Sequence, residues 1–232
     1  MFETKDFFAN LDNFEYKEIF SDIESLWDVL PKINSFIETQ LQNEDFSKKN
    51  EKYENCSIDK NVLICKDVKI EHGASILGPA IIGEGSEIRQ GAYIRGNVII
   101  GKNCVIGHAS EVKNSIVMNN SNVPHLNYVG DSIIGENVNI GAGIILANFK
   151  AGAKDETVFV KNKNKKINTG LRKFGAIIGD NTNIGCNSVL NPGTMIEKNV
   201  LIYPLSLISG YIKSNSVIKN IPNLQNKIEG NK

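Results

Sequence analysis

From Ile58 onward an aliphatic residue returns at every sixth position: Ile58, Ile64, Ile70, Ile76, Ile82, Ile88, Ile94, Ile100, Ile106 and Val112. Four places after each stands a small or β-branched residue, from Val62, Val68, Ala74, Ala80 and Ser86 to Ala92, Val98, Cys104, Ser110 and Ile116. A helix repeats every 3.6 residues and a half-buried strand every two, so neither gives this spacing. The hexads predict a parallel β-solenoid in which each hexad is one short strand and a turn, and three hexads close a coil. Both marked positions point inward, and a coil buries its apolar face only by stacking on its neighbours. Gly follows the aliphatic residue at Gly83, Gly101, Gly107, Gly135, Gly141, Gly179 and Gly185. These glycines are expected at corners with unusual backbone angles.

Past Val112 the count slips. Hexads resume at Tyr128, Ile134, Ile140 and Leu146, which places a break over Asn119–His125, a polar run with no duty in the repeat. A second interruption, residues 149–175, is read as a loop inserted into the solenoid. It carries the basic run Lys161–Lys166. Long loops in compact domains often carry function, so this run is either a solvated tip or a contact for phosphate groups. Hexads return at Ile178, Ile184, Leu190, Ile196, Ile202 and Ile208, and the solenoid is bounded at 58–212. Residues 213–232 read as a polar tail.

The first fifty residues follow another pattern. Ser21-Asp22-Ile23-Glu24 has capping-box spacing, and Ile23, Leu26, Trp27 and Leu30 follow on one helical face. Pro31 ends or restarts that helix, and Ile33, Phe36, Ile37 and Leu41 continue the stripe. Residues 1–50 are therefore expected to form a helical cap over one end of the solenoid. The charged, periodless stretch around 43–56 reads as a linker, with the boundary drawn at 51–57.

Charge and composition then exclude several classes of function. Lys plus Arg and Asp plus Glu number 26 each, an even balance that argues against a nucleic-acid or membrane-surface protein. No apolar run approaches the roughly 18–20 residues of a membrane span, and the N-terminus shows no secretory pattern, so a cytoplasmic location is expected. The cysteines, Cys56, Cys65, Cys104 and Cys186, form no C-x-x-C pair. Cys104 falls on an inward position and is expected to be core.

Chemistry centres on the histidines. His72 and His108 share a column of the repeat, a spacing that invites a metal site. Zinc-dependent β-helix hydratases of the gamma carbonic anhydrase type place a further His five residues on, where this chain has Lys113. No metal is therefore expected. His125 stands in V-P-H-L-N-Y-V-G-D and is the candidate general base.

From Arg95 to Lys154, the blocks G-H-A-S-E-V-K-N, H-L-N-Y-V-G-D-S-I-I-G-E-N-V-N-I-G-A-G and A-N-F-K-A-G-A-K resemble the acetyltransferase domain of bifunctional uridylyltransferase/glucosamine-1-phosphate acetyltransferases. The resemblance implies a left-handed parallel β-helix, a homotrimer with active sites between subunits, and direct transfer from acetyl-CoA to an amino-sugar phosphate. It implies His125 as base, with Glu111 in support. Arg95, Lys113, Tyr128, Asn139, Asn148 and Lys154 would hold the sugar phosphate or nucleotide sugar. Cys186, Arg172 and Lys173 would serve CoA, and the transfer itself requires no metal. No uridylyltransferase domain is expected before the repeat. Phe149 stands where the family has Tyr, and the loop 155–173 is extra. Two other readings stay open: an acyl carrier protein-dependent acyltransferase acting on a UDP-amino sugar, and a non-catalytic sugar-nucleotide-binding β-helix.

Overall fold

The inward aliphatic residues stack as the hexads require. In the computed structural model, which describes residues 2–42, 44–152, 156–162 and 165–220, three parallel eight-stranded sheets form the sides of a prism. Sheet 1 runs from Ser57–Ile58 to Leu207–Ile208, sheet 2 from Val62–Ile64 to Tyr211–Ile212, and sheet 3 from Lys69–Ile70 to Val217–Ile218. Ile76, Ile82, Ile88, Ile94, Ile100 and Ile106 are fully buried in one continuous core with Ala74, Ala80, Ala92, Val98 and Cys104. Burial pushes the Cys104 thiol up to about 12, which makes it an inert core group. Where the small inward position is Ser, its hydroxyl bridges coils. Ser86 Oγ donates to the Gly101 carbonyl at 2.8 Å and accepts from the Cys104 N–H at 2.9 Å, so burying it leaves nothing unpaired.

The corners correct the expectation about glycine. The left-handed corner positions between sheets 2 and 3 are held largely by asparagine: Asn103, Asn120, Asn137, Asn181, Asn199 and Asn215 have φ between 54° and 61°. Asn tolerates this region because its short side chain can bond locally. Here the amides bond along the stack, as from Asn137 to Asn181 at 3.3 Å and from Asn181 to Asn199 at 3.2 Å. The glycines that follow the aliphatic residues have ordinary φ. They are needed because coils approach closely: a Cβ on Gly107 would lie 1.5 Å from the Pro124 carbonyl oxygen.

The slip in the repeat also lies elsewhere than expected. Residues 119–125 keep their repeat duty, with Val123 fully buried in the core and Asn122–His125 a strand of sheet 3. The missing residue is at the corner between sheets 1 and 2. Ile94 and Ile100 are six apart there, whereas Val112 and Val117 are five apart and so are Val129 and Ile134, all inward-facing. Two successive coils thus have 17 residues, as the pairing of Val112 with Val129 and of Val129 with Leu146 shows. The inward residue is Val129 and not Tyr128, and Ile116 points outward. The insertion 147–175 leaves the same corner one coil later. Within it Phe159–Asn162 and Lys165–Asn168 pair as an antiparallel hairpin.

The N-terminal segment is a strap and not an end cap. Its apolar residues, among them Phe7, Trp27, Ile33 and Ile37, pack on the outward column of sheet 2, formed by Ile81, Ile99, Ile116, Ile133, Ile177 and Met195. The capping box is at Ser25 and Asp28, four residues beyond the expected place, and opens a 3-10 helix, Leu26–Lys32, that passes through Pro31 into the α-helix Ile33–Leu41. Asp180 pins the strap through the Ala9 N–H at 2.7 Å, and the Phe7 carbonyl accepts from the Asp180 N–H at 2.9 Å. The open end of the solenoid is covered by residues read as linker. The Phe46 N–H bonds to the Lys60 carbonyl, Asn50 Nδ2 to that of Val62 and Tyr53 Oη to that of Val68. These satisfy carbonyls of the first coil, whose edges would otherwise be free to pair with another chain. At the other end the solenoid continues past 212, with Val217–Ile218 paired to Leu201–Ile202. No helix among the described residues is long and apolar enough to cross a membrane.

Candidate functional site

Sheet 1 carries two outward columns, and the second ends at the corner where the repeat is shortened. Arg95 and Lys113 stand there on adjacent coils, as the pairing of Ile94 with Val112 requires. Adjacent strands are about 4.8 Å apart, so two cations in this relation repel unless anions intervene. Each has a carboxylate. Arg95 Nη1 donates to Glu111 Oε1 at 2.6 Å, which favours the charged guanidinium, and Lys113 Nζ lies 3.3 Å from Asp131 Oδ2. The guanidinium also lies 5.8 Å from the Tyr93 ring centre.

Asp131 is the hub of the site, and sequence reading missed it. It occupies the five-residue corner with φ 48°, is 5% exposed, and accepts from Asn114 Nδ2 at 2.9 Å and Asn148 Nδ2 at 2.5 Å as well as from Lys113. Asn148 Nδ2 also lies 3.1 Å from Tyr128 Oη. Burial, then the charges of Glu111 and Asp131, raise the Tyr128 pKa and keep its phenol protonated. Gly130 explains part of the Y-x-G-D motif. A Cβ there would meet Tyr128 Oη at 2.6 Å and Asn148 Nδ2 at 2.7 Å, so only Gly lets both fold over the strand. The signal was present: an Asp at the shortened corner, beside the glycine of the motif.

Arg95, Lys113, Tyr128, Asn148, Phe149 and Lys173 line one open cleft of about 350 Å³. Of the predicted substrate-binding residues, four converge there. Lys173, assigned to CoA, joins them, while Arg172 beside it is not part of the lining. Glu111 contacts Arg95. Asn139 stands on sheet 3, paired in register with Asn122, away from this cleft within one chain. Lys154 lies outside the described residues.

His125 is exposed at the end of its strand, on the ridge where sheet 3 passes to sheet 1. It is in register with His108, whose Nδ1 lies 3.0 Å from the Gln90 carbonyl. Beyond the paired residues the Gly143 N–H bonds to the His125 carbonyl and the Asn187 N–H to that of Ala142, so counting on in the same register puts base candidate and Cys186 in one column. All the histidines therefore fall on this ridge. Among the described residues no group of three or more His, Cys, Asp or Glu could hold a metal ion. The cationic cleft suits a phosphate, which takes Arg and Lys donors, and the ridge presents an exposed imidazole able to accept a proton.

Residues 76–171 match the model of the GMPPB C-terminal domain, and residues 175–203 match the hexapeptide repeat of succinyl-transferase. The chain is 39% identical over 196 residues to a bifunctional sugar-1-phosphate nucleotidylyltransferase/acetyltransferase of Sulfurisphaera tokodaii, covering 84% of this chain and 47% of that protein. It is 42% identical over 211 residues to the bifunctional protein GlmU of Methanococcus maripaludis strain C7, covering 90% and 49%. With GlmU of Wigglesworthia glossinidia brevipalpis the identity is 40% over 141 residues, 61% of this chain and 29% of the relative. The chain thus spans about half the length, or less, of the curated relatives it matches. The hexad core and the two matched models make the chain a hexapeptide-repeat protein, and over the part they share it is similar to these bifunctional relatives.

Proposed function

We propose that the chain is an acetyl-CoA-dependent N-acetyltransferase acting on an amino-sugar phosphate of the glucosamine-1-phosphate type. The observation that carries this is the convergence of Arg95, Lys113 and Lys173 with Tyr128 and Asn148 in one cleft. The cations take the phosphate and the neutral donors take sugar hydroxyls. His125 removes a proton from the sugar amine as nitrogen attacks the thioester carbonyl. The C–N bond forms, a backbone N–H holds the tetrahedral oxyanion, and the C–S bond breaks to release CoA thiolate. The acetyltransferase named in the Sulfurisphaera relative supports this reading.

A homotrimer is part of the proposal. The exposed large apolar residues on the sheets and ridge lie on sheets 1 and 3 and the ridge between them, including Leu126, Leu201, Leu205 and Leu207. Leu126 and Leu205 are 60% and 66% exposed in left-handed backbone, a conformation costing a branched residue about 1–2 kcal/mol. Contact with a second copy gives these side chains an apolar partner. It also brings a sheet 3, with Asn139 and His125, beside a neighbour's sheet 1. The test is free-thiol release from acetyl-CoA with glucosamine-1-phosphate. We expect His125→Ala to lower kcat by about 10²–10⁴-fold. Thiol release at the wild-type rate in that variant would remove His125 as the base, and release only with acyl carrier protein donors would move the reaction to another acyl source.

A further inference from the structure

The inserted hairpin builds a second cleft that the acyl-transfer chemistry does not use. It has a volume of about 510 Å³, within the range of small-molecule sites, and lies between the hairpin and the outward side of the later coils. Its walls include Phe149, Phe159 and Pro192, with Lys150, Lys161 and Lys166 among them. The hairpin is two-faced. Val160 is fully buried and Ile167 packs beside it against the strap and sheet 2, so alternation turns Phe159 and Lys161 the other way.

Two observations point to an anion. Lys161 and Lys166 are direct cross-strand partners, and like charges placed opposite each other weaken a hairpin. Neither makes an ion pair among the described residues, whereas Lys150 is paired with Glu156. The apolar walls point to a ring. Phe149 is 42% exposed and lines both this cleft and the sugar-phosphate cleft, which makes the two contiguous. Lys166 Nζ lies 4.1 Å from the Phe159 ring centre, so cation and ring face are presented together.

We propose that the hairpin cleft binds a nucleoside phosphate, with the base against the Phe149, Phe159 and Pro192 walls and the phosphate between Lys161 and Lys166. The inference rests on the acyl-transfer reading only for its two sources: the phosphorylated adenosine end of CoA, or the nucleotide end of a nucleotide-sugar acceptor. Calorimetric titration of the full chain with CoA, 3′-dephospho-CoA and UDP distinguishes them. Lys161→Gln/Lys166→Gln should weaken CoA or UDP binding by about tenfold or more while glucosamine-1-phosphate binding is unchanged. Its unliganded melting temperature should hold or rise, because a like-charge pair is removed. Loss confined to CoA assigns the donor, and loss confined to UDP assigns the acceptor. Wild-type affinity for both nucleotides in the double variant would overturn the proposal, as would binding of acyl carrier protein with no binding of either nucleotide. Arg95→Gln, titrated with glucosamine-1-phosphate, tests the neighbouring cleft separately, so failure of one reading is distinguishable from failure of the other.

Discussion

Asp131→Asn tests whether the site is organised from below. The substitution keeps the left-handed corner, since Asn adopts it elsewhere in the stack, so backbone strain does not confuse the result. It removes the charge facing Lys113 and puts an amide where a second acceptor oxygen stood. Asn114 Nδ2 and Asn148 Nδ2 now bond to the two oxygens, at 2.9 and 2.5 Å, and in the variant one must face another donor. Leaving a buried donor unpaired costs about 1–3 kcal/mol. The lost ion pair adds about 1 kcal/mol, the upper end of the surface range, because the side chains of Lys113 and Asp131 are only 23% and 7% exposed. The total, about 2–4 kcal/mol, corresponds to a fall of roughly 4–16 °C in melting temperature for a chain of this size. Function should shift in a particular direction. Lys113 and Asn148 lose their anchor, so KM for the sugar phosphate should rise by about tenfold with a smaller change in kcat. Thermal melting and steady-state thiol release measure both. A lowered melting temperature with unchanged KM would show that Asp131 only supports the fold. No change in either would refute the hub.

Two further outcomes follow from the packing. Gly107→Ala puts a Cβ against backbone next to His125. It should cost about 2–4 kcal/mol and reduce turnover as well, which melting and thiol release would show together. Asp180 is raised above its usual 3.8 mainly by burial, so the stability it contributes is full below that value and is lost as pH rises through its higher native pKa. In Asp180→Asn the decline in melting temperature as pH rises above about 3.8 should flatten. It should not vanish, because Glu136 is raised too, by burial and by Asp180.

The repeat was legible because each coil restates the same rule, and Ile76 to Ile106 fill the core as the hexads require. Where the rule bends, one chain read alone places the bend poorly. Sliding a hexad by one residue still meets apolar positions at Tyr128 and Ile116, and only the ladder shows that Val129 and Val117 face inward. The covered side was present in the pattern. On sheet 2 the residue before the inward aliphatic is itself apolar, as in Ile81-Ile82, Ile99-Ile100 and Ile177-Ile178, the mark of a strand buried on both faces. The cationic members of the site were found through the motif, but Asp131 was not. Its importance depends on three donors, from Asn114, Lys113 and Asn148, that meet only when consecutive coils stack. The hairpin had no hexad to announce it, and its cross-strand lysines stand five positions apart in the chain.

The strap also sets how many ways the molecule can join others. A bare three-sided prism offers three equivalent flanks and three ridges, and repeated contact through more than one of them propagates without end. With sheet 2 covered by residues 2–41, only one ridge has an uncovered flank on both sides among the described residues, and it is the ridge that bears Leu126 and Leu205. In the proposed homotrimer the copies would meet along this ridge, and a sheet 2 sealed by the strap leaves no second such ridge for a filament to grow from.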